Sequence, residues 1–305
     1  MKIVAVGSVA LDTIHTPTTS HERLLGGSAS YFSLAAIHLA PVGIVAVVGE
    51  DFAPEHRELL AGRGVDLAGL ETAPGSTFHW EGEYDQDPNV RRTVRTELGV
   101  FESFHPALPP SYLDAEVLFL ANIDPLLQLE VLGRLSHAPV VAVDTMNFWI
   151  EGNLEAVHQV VSRADILFVN DEEARMLTAD PDLVRAADEI RKLGPEIVVI
   201  KKGAHGAAAL GPWGWILFPA FPVSGVVDPT GAGDSFAGGL LGYLAGKSWR
   251  SRERFAEAIA VATATASLTV EAFGVAALGR DRAADLRDRA TALREAMHFD
   301  PPQGL

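Results

Sequence analysis

An α/β fold, with a mostly parallel central sheet covered by helices on both faces, is predicted by three features of this sequence. Short apolar runs rich in Val and Ile recur along the chain, with helical stretches between them. The runs are continuously apolar instead of alternating, the pattern of strands buried on both faces. Hydrophobic residues make up 48% of 305 residues and are spread along the chain, ample for one large core.

Each element follows in order. KIVAVG (2–7) reads as a strand, SASYFSLAAIHLA (28–40) as a helix, IVAVVG (44–49) as a strand and PEHRELLAGRG (54–64) as a helix opening on Pro and ending on Gly. VLFLAN (117–122), VVAVD (140–144), ILFVN (166–170) and IVVIKKG (197–203) are further strands, with helices at PLLQLEVLGRL (125–135) and DEEARML (171–177). FPAFPVSGVV reads as a strand or sheet edge before the turn VVDPTGAGDSFAGG, and helical stretches at about 231–246, 252–268 and 280–297 complete the chain. One region breaks the alternation. TFHWEGEYDQDPNVRRTVRTELGVF (77–101) has strand-like patterning on both sides of a turn-rich DQDPN, and reads as a hairpin standing off the main sheet. It is either a decorative insertion or a lid over a substrate. With no repeat or low-complexity linker, 1–305 is expected to form one domain plus this small β lid, the lid comprising about 10–25 and 72–104.

Composition excludes several functions. A net charge of -16 argues against nonspecific nucleic-acid binding, which depends on Lys and Arg neutralising phosphates. The absence of cysteine rules out disulfides, thiolate metal sites and Cys nucleophiles. No apolar run reaches the ~18 residues of a membrane span. The start of the chain reads as a first strand, not a secretory signal, so a cytoplasmic location without membrane attachment is expected.

The turn before the buried helix holds the chemistry. A helix N-terminus presents unpaired N–H groups and the positive end of the helix dipole. Gly231, Ala232 and Gly233 can form a small anion hole for a phosphoryl group, with glycine permitting close approach. Asp234 beside the hole would repel a phosphate unless it takes the proton of an attacking hydroxyl. The alternative is an ordinary first-turn acid favoured by the dipole. A Walker loop, G-x-x-x-x-G-K-S/T, is absent, and GAGDSF carries Phe236 where a dinucleotide fingerprint needs its third glycine.

DPTGAGDSFAGG closely resembles the C-terminal signature of the PfkB-type sugar kinases, the ribokinase family, D-x-T/S/V-G-A-G-D, complete here from Asp228 to Asp234. LLGGSASYFSLAAIHLA resembles the family's N-terminal glycine-pair signature, NDEEA its N-x-x-E motif, and KKGAHGA the strand and turn approaching the nucleotide phosphates. The resemblance spans essentially the whole chain. It implies a ribokinase-like three-layer αβα sandwich and transfer of a phosphoryl group from ATP, with Mg2+, to a hydroxyl of a sugar or sugar-like acceptor.

By that resemblance Asp234 is the catalytic base, and Gly231, Ala232 and Gly233 form the anion hole. Asn170, Glu173, Lys201, Gly203, Gly206 and Thr230 fall at the nucleotide site, with Glu173 reaching Mg2+ through water. Asn170 and Glu173 read equally as a helix cap with its first-turn acid, and Lys201 as an exposed strand-end residue. Asp12, Gly26, Gly27, Ser28, Tyr31, Asn122 and Asn147 fall at the acceptor, where the Asp12 carboxylate can take two hydroxyl donors of a vicinal diol. Asp228 and Thr230, with the loop near EAFG (271–274), are where the resemblance puts the monovalent-cation (K+) site of some members.

The chain departs from the family pattern on the acceptor side. Tyr31 stands where many members carry Asn after the glycine pair, and DTMNFWI keeps Asp144 and Asn147 but lacks the Arg that some members place there. These departures bring in a nucleoside kinase of the same fold as an alternative. A catalytically silent nucleotide-binding regulator is the alternative of another class. In the hairpin, Trp80 and Tyr84 share a face, and Arg91, Arg92 and Arg95 lie on the return strand. They read as a stacking surface with an anion-binding Arg, or as a hydrophobic lid face and homodimer contact with a solvated basic side.

Overall fold

The computed structural model describes residues 1–86, 91–135 and 139–297. Part of the DQDPN turn and the side chain of Arg91 lie outside the described residues. The first half of the chain supplies β1 (Ile3–Val6), β2 (Ala10–His15), β3 (Ser20–Gly26), α1 (Ser28–Ala36), β4 (Val42–Val48), α2 (Pro54–Gly62), β5 (Asp66–Thr72), β6 (His79–Tyr84) and β7 (Arg91–Glu97). After β8 (Val117–Leu120) come α3 (Pro125–Gly133), β9 (Val140–Asp144), α4 (Asn147–Gly152), α5 (Leu154–Val161), β10 (Ile166–Asn170), α6 (Asp171–Thr178), α7 (Leu183–Leu193) and β11 (Ile197–Lys201). The chain closes with β12 (Ala207–Gly211), β13 (Gly214–Phe218), α8 (Ala232–Leu244), α9 (Arg252–Thr269) and α10 (Ala283–Ala296).

Nine strands form the central sheet in the order β13-β12-β11-β10-β9-β8-β1-β4-β5. All pairings from β11 through to β5 are parallel, and the β11–β12 and β12–β13 edge is antiparallel. Successive residues of each strand enter opposite cores. Ile3 and Ala5 pack with Phe32, Phe236, Leu240, Phe255 and Ile259 on the face covered by α1, α8 and α9. Val4 and Val6 pack with Val131, Val160, Ala174 and Ile190 on the face covered by α3, α5, α6 and α7. That double burial produces the continuous apolar runs, and the three layers are those predicted.

A second sheet stands apart, in the order β3-β2-β6-β7. The 77–101 hairpin is β6 and β7, paired antiparallel with a register shift at Glu81/Gly82, and β6 adds in parallel to β2. Among the described residues no helix is long and apolar enough to cross a membrane.

Two departures have local causes. The stretch 219–231 contains no strand. Pro219, Pro222 and Pro229 lack the N–H that a ladder needs, and Gly225 sits at φ 78°. The structure also adds α5 and α7, each opened by a side-chain cap. Asn153 accepts from the Ala156 N–H, and Asp182 from the Val184 and Arg185 N–H groups.

Candidate active site

The turn ahead of α8 converges with the ends of β9, β10 and β11. Gly231 is left-handed at φ 72°, and a Cβ there would fall 2.2 Å from Cγ of Tyr31. Glycine is required on both counts. The Ala232 N–H reaches the Pro229 carbonyl at 3.2 Å and the Ser235 N–H reaches the Gly231 carbonyl at 2.9 Å, so α8 begins with Gly233 and Asp234 in its first turn. The Ala232 N–H is thus spent on the turn, while the Gly233 N–H sits in the first turn, where the helix itself supplies no acceptor four residues back.

A cation stands beside them. The Lys201 Nζ lies 3.2 Å from where a Cβ on Gly233 would be, and donates to Oδ2 of Asp144 at 2.7 Å. Burial works against this charge, but the carboxylates of Asp144, Glu173 and Asp234 outweigh it and hold the ammonium above its ordinary range. Lys201 is thus no exposed strand-end residue. The sequence shows Asp144 and Lys201 at the ends of two strands; what brings them together is the register in which both β9 and β11 flank β10.

Asn170 and Glu173 form a capping box on α6: the Asn170 Oδ1 accepts from the Glu173 N–H at 2.8 Å, and the Glu173 Oε2 accepts from the Asn170 N–H at 2.7 Å. Cap and charge source coexist, because Glu173 also acts on Lys201. Gly203 (φ 53°) and Gly206 (φ 83°) turn the chain between β11 and β12, with the Lys202 N–H donating to the Gly206 carbonyl at 2.8 Å.

The residues that the sequence analysis assigns to the acceptor come from the second sheet and α1. Asp12 is buried with its carboxylate over Gly26, where a Cβ would overlap Oδ2 at 1.9 Å. Gly27, at φ 88°, packs against Ser8 and opens α1. The Ser28 N–H donates to Oγ of Ser8 at 3.1 Å, and the Ser8 N–H donates to Oγ of Ser28 at 3.2 Å, fixing this turn. Tyr31 lies under Gly231 among Asp12, Asp228, Tyr84 and Asp234. Asp12 and Trp80 are register partners on adjacent strands, and Tyr84 lies on the same face. The Tyr84 hydroxyl lies 2.8 Å from Oγ1 of Thr230.

Asp228 is 1% exposed and accepts from the Thr230 N–H on Oδ1 and the Gly274 N–H on Oδ2, both at 2.9 Å. Burial raises its carboxyl despite these bonds. The 271–274 loop and the turn are therefore joined through Asp228. Among the described residues no cluster of three or more His, Cys, Asp or Glu side chains is arranged to hold a metal ion.

Other candidates are engaged elsewhere. Asn122 accepts from the Trp149 indole N–H at 2.9 Å and donates to the Met146 sulfur, and Asn147 accepts from its neighbour's Phe148 N–H. Arg92 pairs with Glu83, and Arg95 with Glu81 and Glu97. The acidic residues of the same hairpin thus offset these two cations. The Trp80 indole N–H donates to Oγ1 of Thr93 at 3.3 Å, and its ring lies across Gly82.

The family model for pfkB family carbohydrate kinases matches residues 2–281. The chain belongs to that family. It is a kinase, a phosphotransferase with an alcohol group as acceptor. It is 34% identical to the cytidine kinase of Thermococcus kodakarensis over 255 residues, 81% of this chain and 90% of the relative. It is 26% identical to the aminoimidazole riboside kinase of Salmonella typhimurium over 290 residues, 90% of each chain. Among solved structures, Burkholderia thailandensis nucleoside kinase in complex with inosine superposes with a TM-score of 0.81 at 20% identity, covering 98% of this chain and all of that one. The ribokinase fold is shown.

Proposed function

We propose that this kinase transfers the γ-phosphoryl group of ATP to a hydroxyl of a ribose-bearing acceptor, a nucleoside in preference to a free sugar. The observation that carries the phosphoryl chemistry is the convergence at one helix start of first-turn N–H groups, the Lys201 ammonium and the Asp234 carboxylate. The Ala232 N–H is committed to the Pro229 carbonyl, so the N–H groups of Gly231 and Gly233, with Lys201, stabilise charge spread over the transferring group. Asp234 takes the proton of the attacking hydroxyl. Asp12 holds further acceptor hydroxyls through its two oxygens. The second sheet closes over the acceptor as a lid and excludes water, which suppresses hydrolysis of the donor.

Asn170, Glu173, Gly203 and Gly206 line the nucleotide side. Mg2+ typically binds phosphate oxygens and several waters with only one or two carboxylates, so a lone Glu173 near Lys201 suits it. When bound, Mg2+ neutralises phosphate charge. Asp228, whose two oxygens accept the Thr230 and Gly274 N–H groups, would frame a K+ site by ordering the turn against the 271–274 loop. The nucleoside preference rests on the 34% identity to a cytidine kinase and on Tyr31 and Trp80 at the acceptor side.

Release of ADP is the test, measured with cytidine, inosine, ribose and a hexose as acceptors. Turnover of a nucleoside supports the reading. Turnover of free sugars alone moves the acceptor to that class, and nucleotide binding without turnover of any acceptor returns the regulator.

A further inference from the structure

Tyr31 stands where the acceptor and phosphate halves of the site meet. Its ring packs under Gly231 and the residue is 1% exposed. Its hydroxyl is buried with no hydrogen-bond partner among the described residues. Buried tyrosine hydroxyls are normally paired, because an unpaired one forfeits the hydrogen bonds it made in water. The competing group nearby, the Tyr84 hydroxyl, is already engaged with Thr230.

The surroundings define what the hydroxyl can do. Asp12 approaches from β2, Tyr84 from β6, Asp228 from the start of the turn and Asp234 from α8. Burial first, then the charges of Asp12 and Asp228, the neighbouring Tyr84 and the charge of Asp234 push the phenol well above its ordinary range. The group therefore keeps its proton and offers a donor at any working pH. Three carboxylates around it disfavour an anionic partner, so the partner that fits is a neutral oxygen.

We propose that Tyr31 determines acceptor specificity: its buried hydroxyl donates a hydrogen bond to a neutral oxygen of the bound acceptor, between Asp12 and Asp234. The chemistry recognised is a hydroxyl or ether oxygen of a ribose or polyol, and a phosphate or carboxylate at that point is rejected. The assignment to ribose rests on the function proposed above, and the donor role does not.

Y31F deletes the oxygen and keeps the ring under Gly231. With the oxygen gone, the acceptor loses its donor, so its KM is expected to rise by about tenfold, the scale of one lost hydrogen bond. The KM for ATP should stay at the wild-type value, and the ligand-free melting temperature should be equal to or above wild type. A purely structural Tyr31 would instead lower the melting temperature and disturb both KM values. Cytidine and ribose are assayed side by side. Wild-type turnover of ribose without cytidine overturns the nucleoside reading and leaves Tyr31 testable on ribose. Y31F is read on whichever of cytidine, inosine, ribose or the hexose the wild type turns over: an unchanged acceptor KM overturns the Tyr31 assignment, and turnover of none of the four overturns both readings.

Discussion

The Tyr84 hydroxyl lies 2.8 Å from Oγ1 of Thr230, joining the second sheet to the glycine turn that opens α8. The two residues are 146 positions apart in sequence, Tyr84 on β6 of the second sheet and Thr230 in the turn before α8. Tyr84 is buried, and it shares its sheet face with Trp80 and, on the adjacent strand, Asp12. This bond therefore ties β6 of the second sheet to the turn that starts α8.

Loss of that bond should loosen the second sheet without harming the main one. A side-chain hydrogen bond of this kind contributes about 1 kcal/mol net, so Y84F is expected to raise amide exchange in β6 and β7 severalfold. Exchange in β8 to β11 should stay as in wild type. Thr230→Val should act on the same bond, so the double variant should lose little more than either single one. Additive losses, or unchanged exchange in β6 and β7, would dismiss the coupling.

Asp234→Asn tests the base. Asparagine preserves size and the first-turn position of α8, so folding and nucleotide binding are expected to match wild type. General-base assistance is worth ~10²–10⁴ in rate, and kcat should fall by that amount. Near-normal turnover would remove Asp234 from the chemistry and leave it as a helix-dipole acid.

The main sheet was legible because strands buried on both faces leave an unbroken apolar signature, as Val4 to Val6 and Ile197 to Ile200 do. The turn was legible because its local demands, a left-handed Gly231 and a charge at a helix start, are written in adjacent residues. Long-range pairs left no such trace. Lys201 read equally well as an exposed strand end, and only the order β11-β10-β9 brings it to Asp144. Asn122 looked like a pocket residue, yet its amide is occupied by Trp149 and Met146. The strand expected before the turn failed because two prolines, Pro219 and Pro222, outweigh apolar content where ladder donors are needed.

Gly231 and Gly225 form an internal control. Both are left-handed, at φ 72° and 78°. A Cβ on Gly225 meets nothing within 4 Å, whereas one on Gly231 overlaps the Tyr31 ring. Gly225→Ala should cost only the backbone penalty, about 1–2 kcal/mol, and retain activity. Gly231→Ala adds displacement of Tyr31 and of the turn, so it should lose more stability and most of its turnover. Equal unfolding midpoints for the two variants in denaturant titrations would contradict the packing of Tyr31 on Gly231.

The Lys201–Asp144 pair predicts a pH signature. The side chains are 17% and 4% exposed, and removing one partner of a buried pair typically costs about 3–5 kcal/mol because the other charge is stranded. Lys201→Met should therefore be less stable than wild type at neutral pH, and should lose about 10²-fold in kcat as a charge-stabilising group disappears. The folded protein holds the Lys201 proton above the ordinary 10.5, more tightly than the unfolded chain does. Stability from that proton is fully present below the unfolded value and is lost as pH rises through the higher folded one. The gap between wild type and Lys201→Met should accordingly be constant from pH 7 to 9 and narrow above about 10.5. Unfolding free energies measured across that range decide the matter, and a gap that widens with rising pH would show that Lys201 is not held as a buried, paired cation.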